Sequence, residues 1–365
     1  MRIKRVWAEL YRIPVHREMK DAIRHFSKMD LVFAHVETDQ GVVGSGFTYS
    51  IIPFGAHEIA SVINSGIAEL IRGMDPRDHE EIWSRMWRQV DWVGRGGIAV
   101  LAVAAVDIAV WDLKSKLANM PLHRMLGGAR EKVPVYNTDG GWLNHSIDQL
   151  VEEARQIVAA GFRGTKIKVG KEDPAEDAER IAAVREAIGQ HRTLMVDANE
   201  RFTSAEAIRR AHLWESFNLF WFEEPLPAED LLGHVALKAH TTIPIALGES
   251  LFTRFQFRDY IGTGGVSIVQ PDACRCGGIT EWIKIAHLAD CHNMQVSPHF
   301  VMELHLPLVA AIPNSLFIEY IPSLNPVLTE PLQLIDGCFV PSEQPGLGIP
   351  FDWDRLRSFR VDNEN

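Results

Sequence analysis

The chain has 365 residues, 46% of them apolar and 23% charged, and a net charge of −11. That length accommodates a barrel of roughly 200–250 residues plus one smaller domain, while an acidic balance with no basic face argues against nucleic-acid and anionic-membrane partners. No apolar run approaches the ~18 residues of a membrane span, and the four cysteines, Cys274, Cys276, Cys291 and Cys338, are too few to staple a secreted domain of this size. They read as reduced thiols in a cytoplasmic protein, where the sequon at Asn144-His145-Ser146 is idle.

The first third has strand character at IKRVWAELYRI, DLVFAHVET and GVVGSGFTYS, with a tight turn predicted at Thr38-Asp39-Gln40-Gly41. Helical patterns follow at 55–72, 78–90 and 97–118, the last stopped by Asn119-Met120-Pro121. Sheet first and helices second predicts an α+β domain, assigned here to residues 1–125. Its loops carry Lys20, Asp21, Arg24, His25 and Tyr49, polar groups placed to cap a neighbouring domain. His57-Glu58 and His79-Glu80 begin like a zincin helix but lack the second histidine.

From Val133 short strands alternate with helices, the order of a parallel barrel, which sets the second domain at 126–320. Strands are predicted near 133–138, 164–169, 193–198, 219–224, 243–248, 266–271, 294–298 and 316–320. Asp173-Pro174 and Gly189 mark the start and stop of one intervening helix. Residues 321–365, rich in proline and glycine, are expected to fold back on the first domain.

Asp197, Glu223 and Glu249 recur at intervals of 26 residues, each at the trailing end of an apolar run. Barrel strand ends all meet at one face, so the three carboxylates converge into an oxygen cage for a hard divalent cation, Mg²⁺. Equal spacing selects Glu223 over Glu224 as the ligand, leaving Glu224 to support it or to pair with a cation. Asn199 is placed either to orient Asp197 or to bind substrate.

Lys166 and Lys168 alternate onto the barrel interior. Taken alone, KxK is a solvated pair; beside the triad, mutual repulsion is expected to lower a lysine pKa toward a useful base. Asp272 and His299, on neighbouring strand ends, form a candidate dyad in which the carboxylate fixes the imidazole tautomer. Glu319 ends the eighth strand, either as a protonated donor to a substrate oxyanion or as a salt-bridge partner at the barrel mouth. Arg275 is a candidate anion ligand, with a surface salt bridge equally open.

Together these positions resemble the enolase superfamily, and within it the mandelate racemase subgroup. The resemblance implies a modified (β/α)₇β barrel under an α+β capping domain, with Lys168 and His299 as bases, Asp272 as partner of His299, and Glu319 hydrogen-bonding the substrate carboxylate. It also implies proton abstraction α to a carboxylate through a Mg²⁺-stabilised enediolate, and a homo-oligomer from dimer to octamer. The wording of PVYNTDGGWL, LMVDANERF, RCGGI and SPHFVMELHLPL is similar to acid-sugar dehydratases, talarate/galactarate dehydratases among them. The expected reaction is therefore dehydration of a small-molecule acid sugar to a 2-keto-3-deoxy acid, with racemisation or epimerisation of a 2-hydroxy acid as the alternative. A catalytically silent barrel is the third reading. The expected substrate contacts are Lys166, Asn199, Lys20, Asp21, Tyr49 and Arg275, and a polar cap is expected to suit a polyhydroxylated chain.

Overall fold

Alternating apolar residues draw the amino terminus into a long hairpin, β1 (Ile3–Lys20) and β2 (His25–Thr38), with β3 (Val43–Ser50) antiparallel on its other side. The structure, a computed structural model, describes residues 1–361. β1 and β2 continue past a register shift between Pro14 and Met19 until Lys20 pairs with His25. Lys20 and His25, expected in a loop, therefore close a ladder, and only Asp21–Arg24 turn.

One face of this sheet, with Val32, Ala34 and Val36, packs on the helix Gly97–Leu117. The contact is close: a Cβ built on Gly46 would lie 2.2 Å from the Ala109 nitrogen, so only glycine fits. The opposite face meets the tail, where Phe351 and Trp353 lie edge-on to Phe33. Arg12 N donates to Phe359 O and Val361 N to Leu10 O, each at 2.9 Å, so the end of the described chain returns to β1.

The second sheet contains β4 (Val133–Asn137), β5 (Gly164–Lys168), β6 (Thr193–Asp197), β7 (Trp221–Glu223), β8 (Ile245–Leu247), β9 (Ile268–Val269), β10 (Gln295–Val296) and β11 (Ile318–Tyr320). Each falls inside its predicted run. Neighbours in sequence are parallel neighbours in space, and β11 lies beside β4. Val296 N donates to Asn314 O and Leu316 N to Val296 O, which brings the two ends of the curled sheet together. This is the α/β fold of the modified (β/α)₇β barrel under an antiparallel cap. A short strand, β12 (Cys338–Phe339), runs antiparallel to β4.

Tyr136, Met195, Trp221, Ala246 and Ile268 fill the barrel beneath the strand ends, a packed layer that leaves chemistry only the open rim. Local chemistry starts the outer helices: Ser146 and Gln149 make a reciprocal capping box, and Asp173 caps Ala175 N ahead of Pro174. Among the described residues no helix is long and apolar enough to cross a membrane.

Candidate active site

Register assembles the rim. Lys168 on β5 is the ladder neighbour of Asp197 on β6, and Asp197 is the neighbour of Glu223 on β7. Glu249 lies two residues beyond β8, after Gly248. Gly248 has φ +152°, and its built Cβ would come within 2.7 Å of Gln270 backbone, so the chain can press against β9's exit only as glycine. Asn199, Glu224, Phe300 and Val301 also have positive φ just past strand ends. Such backbone persists where surrounding structure over-determines it, commonly at functional sites.

Asp197, Glu223 and Glu249 each present an oxygen within 4.8 Å of the others, all three buried. That limit is compatible with three corners of one Mg²⁺ octahedron, which spans roughly 4.2 Å between opposite ligands. Glu249 Oε2 accepts no hydrogen bond, its nearest polar neighbour being His299 Nε2 at 3.3 Å, and is a buried acceptor that a cation would satisfy. The hard oxygen set fits Mg²⁺. Glu223 is oriented by three donors: Lys166 Nζ at 2.5 Å, Gln270 Nε2 at 2.8 Å and Trp221 Nε1 at 2.9 Å. Sequence reasoning missed Gln270 and Trp221, since a lone amide and a core indole carry no motif. Glu224 is buried beside Glu249 with one carboxylate oxygen unpartnered, and it forms no ion pair among the described residues.

The two lysines differ in depth. Lys166, one alternation further into the barrel, is fully buried with its Nζ 2.8 Å from Glu319 Oε1 and 3.4 Å from Asp197 Oδ2, in addition to Glu223. It does not line the cavity, so the expected substrate contact is replaced by an internal counter-ion. Lys168 does line it, with Nζ 2.5 Å from Asp197 Oδ2 and 5.6 Å above the Trp142 ring. Lowered lysine pKa values were expected; both are raised. Burial opposes each ammonium, but Glu223 and Glu319 around Lys166, and Asp197 beside Lys168, outweigh burial and mutual repulsion.

His299 bridges two carboxylates. Its Nδ1 is 3.0 Å from Asp272 Oδ2 and its Nε2 is 3.3 Å from Glu249 Oε2. Burial disfavours the imidazolium, yet Glu249, Asp272 and Glu319 raise its pKa above the usual value. Asp272 is fixed in turn by Cys274 N at 2.7 Å and by the Tyr49 hydroxyl at 2.6 Å. Tyr49 lines the cavity, but its hydroxyl, expected on substrate, is committed to Asp272.

Glu319 accepts from Thr138 Oγ1 at 2.6 Å and from Phe300 N at 2.7 Å as well as from Lys166. Burial pushes its carboxyl up, but Lys166 and His299 pull it down to about 2, while Glu223 is pushed up to about 8 by burial and its carboxylate neighbours. Carboxylates crowded round one buried ammonium cannot all ionise. The Lys166–Glu319 contact at 2.8 Å is the salt-bridge alternative expected of Glu319.

Lys168, Glu249, His299 and Glu319 open into one cavity of about 300 Å³. Asp21, Arg24, Asn199, Tyr49 and Arg275 line it, and the Asn199 side-chain oxygen is buried without a partner. Arg275 Nε donates to the Glu249 carbonyl at 2.6 Å rather than forming a surface salt bridge. Lys20 lies outside: alternation buries Met19 and leaves Lys20 exposed. The cap is less polar than expected, because Ile51, Ile52, Phe54, Ile98 and Leu101 supply much of the wall.

Residues 7–127 match the mandelate racemase / muconate lactonizing enzyme N-terminal domain, and residues 149–355 match the enolase C-terminal domain-like family. The chain is similar to the 3,6-anhydro-alpha-L-galactonate cycloisomerase of Streptomyces coelicolor, 36% identical over 98% of this chain and 99% of that protein. It is 41% identical to the L-talarate/galactarate dehydratase of Salmonella typhimurium over 88% of this chain and 81% of that one. A Streptomyces coelicolor racemase solved with bound magnesium superposes with a TM-score of 0.94 at 35% identity, over 98% of this chain and 100% of that chain. With its acidic triad at the matching strand ends, the chain belongs to the enolase superfamily, in the mandelate racemase / muconate lactonizing enzyme subgroup, and is a Mg²⁺-binding member of it.

Proposed function

We propose that the protein is an acid-sugar dehydratase that removes the proton α to a carboxylate and expels the β-hydroxyl as water, giving a 2-keto-3-deoxy acid. The observation that carries this reading is that Lys168 and His299 sit against different carboxylates of the triad, Lys168 at Asp197 and His299 at Glu249. Mg²⁺, when bound by Asp197, Glu223 and Glu249, supplies Lewis-acid stabilisation of charge on the substrate carboxylate.

Lys168 is assigned the α-proton, for which it must first release its own. His299, whose pKa is raised, is assigned the proton that leaves with the β-hydroxyl. The α C–H and β C–O bonds break, a C=C bond forms, and the enol product ketonises. Asp272 holds the imidazole through Nδ1, leaving Nε2 to face the reacting carbon chain. Thr138, Lys166 and Phe300 N hold Glu319 at the carboxylate end of the substrate. Similarity to named dehydratases of acid sugars supports the substrate class.

The same two flanking groups also favour a second reading, in which the opposite base returns a proton to the α-carbon and inverts it. Incubation of the Mg²⁺-loaded protein with aldonic and aldaric acids in heavy water separates the two. Dehydration releases a trappable 2-keto acid; racemisation places deuterium at the α-carbon with inversion and no elimination. Neither outcome from the whole panel overturns both.

A further inference from the structure

We infer that His305, a buried histidine outside the cavity wall, is a positioning residue for His299: as a neutral imidazole it ties the loop that carries Asp272 to the loop that carries His299. The inference rests on the proton-transfer role proposed for His299 and names what holds that side chain in place.

Parallel pairing between β9 and β10 runs out before the dyad. Ser297 N donates to Val269 O at 3.0 Å, and beyond it no backbone hydrogen bond joins the two loops among the described residues. Asp272 and His299 both lie past that point. His305 spans the gap. It sits in the first turn of the helix Met302–Ala311, where side chains lean back toward the amino-terminal end. Its Nε2 lies 2.9 Å from Ala273 N, next to Asp272, and its Nδ1 lies 2.8 Å from Phe300 O, next to His299.

These partners fix the proton. The Ala273 N–H can only donate and the Phe300 carbonyl can only accept, so Nε2 is bare and Nδ1 carries the hydrogen. The other tautomer would strip both backbone groups of their partner. It would also turn an N–H toward Asp272 Oδ1, 3.7 Å from Nε2, in competition with His299 for that carboxylate. Burial disfavours the imidazolium as well. With Nε2 bare, Asp272 accepts from Cys274 N through Oδ1 and faces Tyr49 and His299 through Oδ2. Phe300 and Val301 hold φ of +53° and +32°, and this left-handed turn is pinned by the bond from His305 and by that from Phe300 N to Glu319 at 2.7 Å.

Two substitutions each keep one half of the tie. His305→Gln places an amide near the Nε2 position and His305→Asn places one near the Nδ1 position. In Mg²⁺-loaded protein labelled with ¹⁵N-histidine, the His299 ring-nitrogen signals, identified by their loss in His299→Asn, should broaden or split in at least one of the two variants. A second readout uses an acid that the unaltered protein turns over, incubated in heavy water. Proton removal at Lys168 should continue while transfer at His299 falters. Deuterium at the α-carbon of recovered, uninverted acid should then rise at least about tenfold relative to product, whether keto acid or inverted acid, the rate equivalent of about one buried hydrogen bond. That ratio does not depend on how much protein is folded, so a purely structural histidine leaves it unchanged. Unaltered His299 signals in both variants, an unchanged ratio in both, or joint loss of exchange and product in both overturns the assignment. If the unaltered protein neither exchanges nor transforms any acid of the panel, the proposed function fails, and the His299 signals alone decide the role of His305.

Discussion

Tyr49, the next-to-last residue of a capping strand, donates its hydroxyl to Asp272 Oδ2 over 2.6 Å, and the same carboxylate oxygen lies 3.0 Å from His299 Nδ1. The cap therefore reaches through the cavity wall to the barrel's histidine. Burial and the Asp272 charge raise the Tyr49 pKa, so it remains a donor. Tyr49→Phe removes a hydrogen bond to a buried charge, worth about 1.5–3 kcal/mol. The expected result is a fall of about tenfold or more in kcat with little change in KM, measured by steady-state assay of the reactive acid.

Lys168→Ala and His299→Asn each remove one of the groups flanking the triad. Each should lower turnover by at least about 10²-fold, the lower bound for loss of a positioned acid or base. Circular dichroism and Mg²⁺ binding should persist. Full activity in both variants would show that the roles assigned to them are wrong.

Gln270 and Trp221 act on the metal through Glu223, at 2.8 Å and 2.9 Å from the same Oε2. Partners of metal ligands typically matter by 10–100-fold in affinity. Gln270→Leu should weaken Mg²⁺ binding by about that factor in a calorimetric titration, while added Mg²⁺ restores turnover. Unchanged affinity would mean that Glu223 keeps its orientation without the amide.

Glu303 lies buried near the start of the helix Met302–Ala311 with neither carboxylate oxygen partnered, and burial pushes its pKa up to about 7. The folded chain retains this proton to near neutrality, whereas the unfolded chain releases it near pH 4.5. Its contribution is complete below that value and is lost as pH rises through about 7, a change of about 3 kcal/mol. Glu303→Gln should raise the melting temperature at pH 8 relative to the parent and change it little at pH 5. Parallel melting curves for the two proteins across that range would contradict the assignment.

Periodicity carried much of the chemistry. A βα unit places one residue per repeat at a strand exit, so 26-residue intervals could only converge if the strands were parallel and closed on each other. Asp197, Glu223 and Glu249 were legible for that reason, as were Asp272 and His299 beyond them. The depth of Lys166 against Lys168 was not, although they are two residues apart. Alternation says that both face inward, but only the packed layer beneath decides which one reaches the cavity and which is enclosed by Glu223 and Glu319.

The amino-acid order alone determined the architecture and the identity of the rim residues, because these follow from local patterns repeated along the chain. Tertiary structure decided what those residues experience. The enclosure of Lys166 by Glu223 and Glu319, the diversion of Tyr49 to Asp272, and the hydrocarbon lining of Phe54, Ile98 and Phe252 arise where segments distant in sequence meet. Charge and solvation depend on distances through space, and no spacing along a chain specifies them.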